Sequence, residues 1–138
     1  MQTQKSLNEL THIIIGAAIE VHKELGPGLL ESVYEKCMIH VLTEEGFNVS
    51  SQQTVPVFFR GIHIDCDLRF DILVDDSIVV EIKAVKELQP IHEAQLLTYL
   101  KLLEMPKGIL INFNCTNIFR EGQKTFVTKL YELLPRGY

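Results

Sequence analysis

Asp71-Ile72-Leu73-Val74-Asp75-Asp76-Ser77-Ile78-Val79-Val80-Glu81-Ile82-Lys83 reads as two apolar strands joined by a short polar turn. Acids stand in it where apolar residues would cost nothing. Glu81 and Lys83 are two apart on a strand, so their side chains leave the same face. Whether Asp71 shares that face depends on the register of the hairpin. A two-residue turn at Asp75-Asp76 would set Asp71 opposite Val80, on the wrong face. A three-residue turn at Asp75-Asp76-Ser77 sets it opposite Glu81. Three consecutive polar residues favour the longer turn. The expected result is two carboxylates and one ammonium clustered on a sheet of Ile, Leu and Val.

Upstream of this hairpin the pattern is strand-like back to Phe47. Val49, Val55, Val57 and Phe59 alternate, Arg60-Gly61 is a turn, and Ile62, Ile64, Cys66, Leu68 and Phe70 alternate in a second strand that runs into Asp71. Ahead of these lie two helices. Ser6-Leu7-Asn8-Glu9 matches a capping box with Ser6 as N-cap. Leu7, Leu10, Ile14, Ala17, Ala18, Val21 and Leu25 then follow helical spacing, and Gly26-Pro27 ends the run. A second helix spans about 29–45, with an apolar stripe of Leu30, Val33, Cys37, Val41 and Leu42 and a stop at Gly46. Downstream, Pro90 opens a helix to about Glu104. Ile109 to Phe113 is a continuously apolar strand suited to burial, Asn114 to Gly122 reads as loop, and Thr125 to Leu130 as a last edge strand. The expectation is one domain over residues 1–138, of α/β (α+β) class. A mixed central sheet carries helices on both faces and is preceded by an extra N-terminal helix. The first three strands form a meander, and the late helix is the crossover to a parallel strand.

The totals narrow the function. The chain has 138 residues, 46% of them hydrophobic, enough for one real core. Its longest apolar run, Ile13 to Ile19, is too short for a bilayer, and the start lacks a signal-peptide pattern. A soluble, cytoplasmic protein is expected, without a membrane partner. Cys37, Cys66 and Cys115 are too widely spaced to suggest zinc or redox chemistry. A net charge of −5 argues against strong non-specific grip on nucleic acid. No G-x-S-x-G, P-loop, G-x-G-x-x-G or H-E-x-x-H occurs.

Other polar residues fall into patterns. Gly28, Glu31 and Tyr34 form G-x-x-E-x-x-Y at the start of the second helix, with Glu31 and Tyr34 on one face. Alone, Glu31 suits an acid placed for the helix dipole. Gln95 and Tyr99 share a face of the third helix, with His92 nearby. His22 is suited to hold a backbone carbonyl near Gly26. Arg69 shares the face of Asp71 and suits an ion pair there. Lys86, Lys101, Lys107, Arg120 and Lys124 read as scattered surface charges.

Taken together, Glu31, Asp71, Glu81-Ile82-Lys83 and Gln95-x-x-x-Tyr99 resemble, in order and in setting, the PD-(D/E)xK nuclease superfamily. More narrowly, Val21-His22-x-x-Leu25-Gly26-Pro27-Gly28-x-x-Glu31-x-x-Tyr34 is similar to the GxxExxY family of that superfamily. Phe70 stands where the superfamily's name has Pro. The resemblance implies a restriction-endonuclease-like core and a metal-dependent nuclease that hydrolyses phosphodiesters of DNA or RNA. It implies Mg²⁺ or Mn²⁺ on Asp71, Glu81 and the Ile82 carbonyl. Glu31 would bind a second metal or a metal water, Lys83 would sit beside the attacking water, and Gln95 and Tyr99 would position the strand or the acids. Three carboxylates against one lysine should also leave one carboxyl with a raised pKa when no cation is present. A core this short is expected to need a second copy or a protein partner to cover a duplex. Two other readings use the same residues: a non-catalytic nucleic-acid- or protein-binding module that retains the nuclease fold, and a partner-binding protein whose acids form internal ion pairs.

Overall fold

A computed structural model describes residues 1–138. Twelve elements follow in chain order: α1 (Gln4–Leu25), α2 (Glu31–Glu44), β1 (Val49–Ser51), β2 (Val57–Phe59), β3 (Ile62–Ile64), β4 (Ile72–Val74), β5 (Ile78–Lys83), α3 (Pro90–Leu103), β6 (Lys107–Asn112), α4 (Ile118–Glu121), β7 (Gln123–Val127) and α5 (Lys129–Glu132). Five strands form one mixed sheet in the order β1-β4-β5-β6-β7, and β2-β3 is a separate hairpin. Only the β5–β6 pair is parallel, and α3 makes the crossover between its strands. No helix is long and apolar enough to cross a membrane.

The sheet separates two apolar layers. On one side α1 and α2 pack on Ile72, Val74, Ile78, Val80, Ile82, Ile109 and Ile111. On the other, Leu96, Tyr99 and Leu100 of α3 pack on Leu73, Val79 and Leu110. Alternation along β5 therefore sends Val79, Glu81 and Lys83 to the α3 side. The helix lies close over β6 because Gly108 has no side chain; a Cβ there would come within 2.9 Å of both Leu96 and Leu100.

Several local expectations shift. The first helix starts a turn early: Thr3 is its cap, and Thr3 and Ser6 exchange the reciprocal bonds of a capping box at 2.9 and 3.0 Å. Glu9 takes no part in that box. The second helix is rotated from the expected stripe. Its inward residues are Tyr34, Met38 and Leu42, while Leu30 and Val33 are exposed. A large ring with a bonded hydroxyl fills the interior better than Val33 would. The expected meander strands are each broken in two. Thr54 bridges Arg69 in continuation of the β1–β4 ladder, but Pro56 offers no N–H, and the ladder resumes two residues out of step as β2–β3. The segment read as loop contains the short helix α4, and the last strand is displaced to Gln123–Val127.

Lys107 is the clearest error among the expected surface charges. It opens β6 and is 4% exposed. Its Nζ donates to Asn8 Oδ1 at 2.8 Å and lies 5.4 Å from the centroid of the Tyr131 ring. Burial pulls its pKa below the ordinary lysine value. Between that lowered pKa and the unfolded one the unfolded chain holds more protons. Stability therefore rises with pH across the window, and below it the whole penalty is present. Lys107→Met is expected to raise stability in urea at neutral pH by on the order of 1 kcal/mol and to remove that alkaline slope.

Candidate active site

The β4–β5 turn decides the site. Ile72 pairs with Val80, Leu73 with Val79 and Val74 with Ile78, so the next step outward sets Asp71 opposite Glu81, as the three-residue turn requires. Asp75 and Asp76 both adopt positive φ, 50° and 49°, in which short polar side chains are among the more tolerated. The Asp75 carboxylate is fixed by the Asn48 N–H at 2.8 Å, and Ser77 Oγ donates to the Asp75 carbonyl at 2.6 Å.

Asp71 and Glu81 are interlocked. The Asp71 N–H donates to Glu81 Oε1 at 3.2 Å, and the Ile82 N–H donates to Asp71 Oδ2 at 2.8 Å. Glu81 is 3% exposed. Burial foremost, then the Asp71 charge and a hydrogen bond between the two side chains, pushes its pKa up to about 9. One carboxyl is strongly raised, and it is Glu81, but burial and Asp71 raise it rather than the three gathered carboxylates expected, since Glu31 takes no part. With its pKa pushed that far up, Glu81 is the member of the pair that holds a proton at neutral pH.

The other expected residues surround this pair. Lys83 Nζ reaches Gln95 Oε1 at 3.5 Å, and Gln95 Nε2 donates to Tyr99 Oη at 3.3 Å. Lys83 thus forms no ion pair with either acid; the amide of Gln95 holds it. Tyr99 has its pKa raised by burial and by the charges of Glu81 and Asp71, so its hydroxyl stays a proton donor. Glu31 comes from the opposite layer. Its Oε2 accepts from the Ala84 N–H at 3.2 Å, where β5 leaves the sheet. It faces the end of β5 but does not join Asp71 and Glu81 in one cluster: no three His, Cys, Asp or Glu side chains are gathered as a ready metal-binding set.

The G-x-x-E-x-x-Y spacing has a physical account. Gly28 sits at φ +102°, with open space where a Cβ would be, so the backbone angle itself calls for glycine. Tyr34 is fully buried and stacks on Phe113 at 4.3 Å between centroids. Its hydroxyl donates to the Gly26 carbonyl at 2.6 Å and accepts from the Leu29 N–H at 3.1 Å. The tyrosine therefore pins the loop that delivers Glu31. Tyr34→Phe is expected to cost about 1–2 kcal/mol in chemical denaturation, because it leaves a carbonyl and an N–H without their partner. His22 also holds a carbonyl, but that of Cys115, at 2.8 Å, rather than one near Gly26. His92 caps α3, with its Nδ1 accepting from the Gln89 N–H at 3.0 Å.

Three contributors escaped the sequence reading. Gln52 Nε2 donates to Glu35 Oε1 at 2.7 Å and to Asp71 Oδ1 at 3.2 Å, bridging α2 to the site. Burial and the Asp71 charge raise the pKa of Glu35. Its place four residues after Glu31, on the same helical face, was the available signal. Asn112, the parallel partner of Lys83, ties down Val85 through Oδ1 at 3.0 Å and Nδ2 at 2.9 Å, and so fixes the exit of β5. Arg69 pairs with Asp67 at 2.7 Å and donates to the Gln52 carbonyl at 2.9 Å. It supports Gln52 rather than pairing with Asp71 or Glu81, and its exposed ion pair adds little stability.

Residues 8–126 match the PD-(D/E)XK nuclease superfamily, and the chain belongs to it. No curated protein and no solved structure matches the chain.

Proposed function

We propose that this chain is a divalent-metal-dependent nuclease of the GxxExxY type, with Asp71, Glu81, Lys83 and Glu31 as its working residues. The observation that carries the reading is the Asp71–Glu81 pair. A carboxyl held protonated by burial and by a neighbouring carboxylate is poised for a cation that would take the place of its proton. Two adjacent hard oxygen donors, with the Ile82 carbonyl beside them, suit Mg²⁺ or Mn²⁺, which keep several waters rather than demanding a full protein cage. Bound there, such an ion supplies Lewis-acid charge at the phosphate and lowers the pKa of a coordinated water.

The chain's own groups divide the remaining work. Lys83, oriented by Gln95, holds the attacking water and offers positive charge to the developing pentacoordinate phosphate. Tyr99, through Gln95, keeps that amide from rotating. Glu31, locked on the Ala84 N–H, stands ready to hold a second water or ion at the strand end. Gln52 and Glu35 position Asp71 from the other side.

The test is Mn²⁺-dependent cleavage of plasmid, single-stranded DNA and RNA, run beside calorimetric titration with Mn²⁺. Wild type is expected to cleave at least one substrate and to bind the ion. Glu81→Ala should lose both, and Lys83→Ala only cleavage. Activity that survives both substitutions would overturn the roles assigned here. Metal-independent binding of nucleic acid without cleavage would instead favour a module that kept the fold.

A further inference from the structure

The hairpin of β2 and β3 contributes nothing to the site, yet it gathers exposed aromatic and apolar side chains on two short strands. Phe58 is 63%, Phe59 61% and Ile62 65% exposed. Phe58 and His63 are cross-strand partners with ring centroids 5.2 Å apart, and the Arg60 guanidinium lies 5.2 Å from the Phe59 centroid. Both faces of the hairpin therefore present an aromatic ring, and a cation stands at its tip, in the two-residue Arg60-Gly61 turn. From Gly46 to Ile64 the chain has no acidic residue, although Asp and Glu number 18 of 138 and the net charge is −5. Asp65 and Asp67 follow directly, the latter paired with Arg69, so it is the two strands and the tip of the hairpin that carry no acid to repel a phosphate backbone.

The arm is tied directly to the site. Val55 and Phe70 are buried at its base. Backbone bonds from the Val55 N–H to the Leu68 carbonyl, from the Phe70 N–H to the Gln53 carbonyl and from the Gln52 N–H to the Asp71 carbonyl run from that base to the site. The chain from Ile64 to Asp71 spans at most roughly 23 Å if extended, a reach of a few nucleotides. We propose that this hairpin is a stacking arm: unpaired bases of a nucleic-acid strand pack on Phe58 and Phe59, with Arg60 on the backbone, while a phosphodiester of the same strand lies at Asp71 and Glu81. The ligand's identity rests on the nuclease reading. Rings that accept any base, paired with an arginine, suit a single strand better than sequence readout.

The test is fluorescence anisotropy of a labelled single strand of roughly 20 nucleotides, and of the same sequence as a blunt duplex, in EDTA so that no cleavage intervenes. Wild type is expected to prefer the single strand. Phe58→Ala and Phe59→Ala should each weaken that binding about tenfold. Phe58→Tyr should retain it and Phe58→Leu should not, since a ring and not bulk is required. Arg60→Gln should lower the slope of log affinity against log salt by about one. These side chains are exposed, and thermal melts are expected to be unchanged. Unaltered affinity in the alanine variants, or full affinity in Phe58→Leu, would overturn the arm. So would hairpin substitutions that dissolve a dimer in sedimentation without changing oligonucleotide binding. Mn²⁺-dependent hydrolysis of bis-nitrophenyl phosphate, too small to reach the hairpin, should be equal in wild type and hairpin variants. Its absence from wild type counts against the nuclease reading alone, because the anisotropy result is independent of it.

Discussion

Lys83→Ala is expected to lower the single-turnover cleavage rate by about 10²–10⁴-fold while leaving the melting temperature close to that of wild type. The asymmetry follows from how the residue is held. Lys83 ends β5 half-buried, and its only polar partner is Gln95 Oε1, at the long distance of 3.5 Å. Little folding energy rides on such a contact. Its location, two residues past Glu81 on the same face, would put the ammonium beside a phosphate held at the two acids, as the proposed reaction requires. Gln95→Ala is expected to give a smaller loss of rate, because it releases the lysine without removing it. Single-turnover kinetics at saturating Mn²⁺ read both. An equal loss of rate in the two variants would mean that Gln95 does more than orient Lys83.

Glu81→Gln is expected to abolish cleavage and at the same time make the metal-free protein more stable. Glu81 carries a pKa of about 9 when folded, against an ordinary 4.5. Between those values the folded state holds a proton that the unfolded state has lost, so stability falls as pH rises through that window. At pH 7 this amounts to a cost of about 3 kcal/mol, an upper bound given that buried groups relax. A glutamine of the same shape cannot ionise and escapes the cost. The variant should melt higher by about 3–10 °C at neutral pH and should lack the wild type's decline between pH 5 and pH 9. Adding Mn²⁺ should raise the melting temperature of wild type and not that of the variant, because the ion would take the place of the Glu81 proton only where two carboxylates are present. Scanning calorimetry across pH, with and without the ion, separates these outcomes. A wild type whose stability is flat from pH 5 to pH 9 would contradict the raised pKa.

The residues that make the site were legible in the amino-acid order because their chemistry conflicts with their setting. Acids and a lysine within runs of Ile, Leu and Val stand out, and the three polar residues of the turn allow only one register that brings Asp71 to Glu81. The G-x-x-E-x-x-Y string stands out by its spacing, but the bonds of the Tyr34 hydroxyl to the Gly26 carbonyl and the Leu29 N–H, which close the loop around Gly28, are visible only in the fold. Gln52 and Asn112 were not legible, and Glu35 was so only through its place one turn after Glu31. Each is an ordinary polar residue whose role depends on which strand or helix ends beside it.

The local pattern alone determined the alternation of β5 and the turn that pairs it with β4, because each depends on neighbours a few residues apart; the crossover through α3 was legible from the order of the elements and the fixed hand and shortness of such connections. Tertiary packing decided the rotation of α2, the burial of Lys107, the break of the long hairpin at Pro56 and the capture of Glu31 by the Ala84 N–H. Those outcomes depend on which of several chemically acceptable surfaces is covered by a distant element, and free energies of burial are settled only when both surfaces meet.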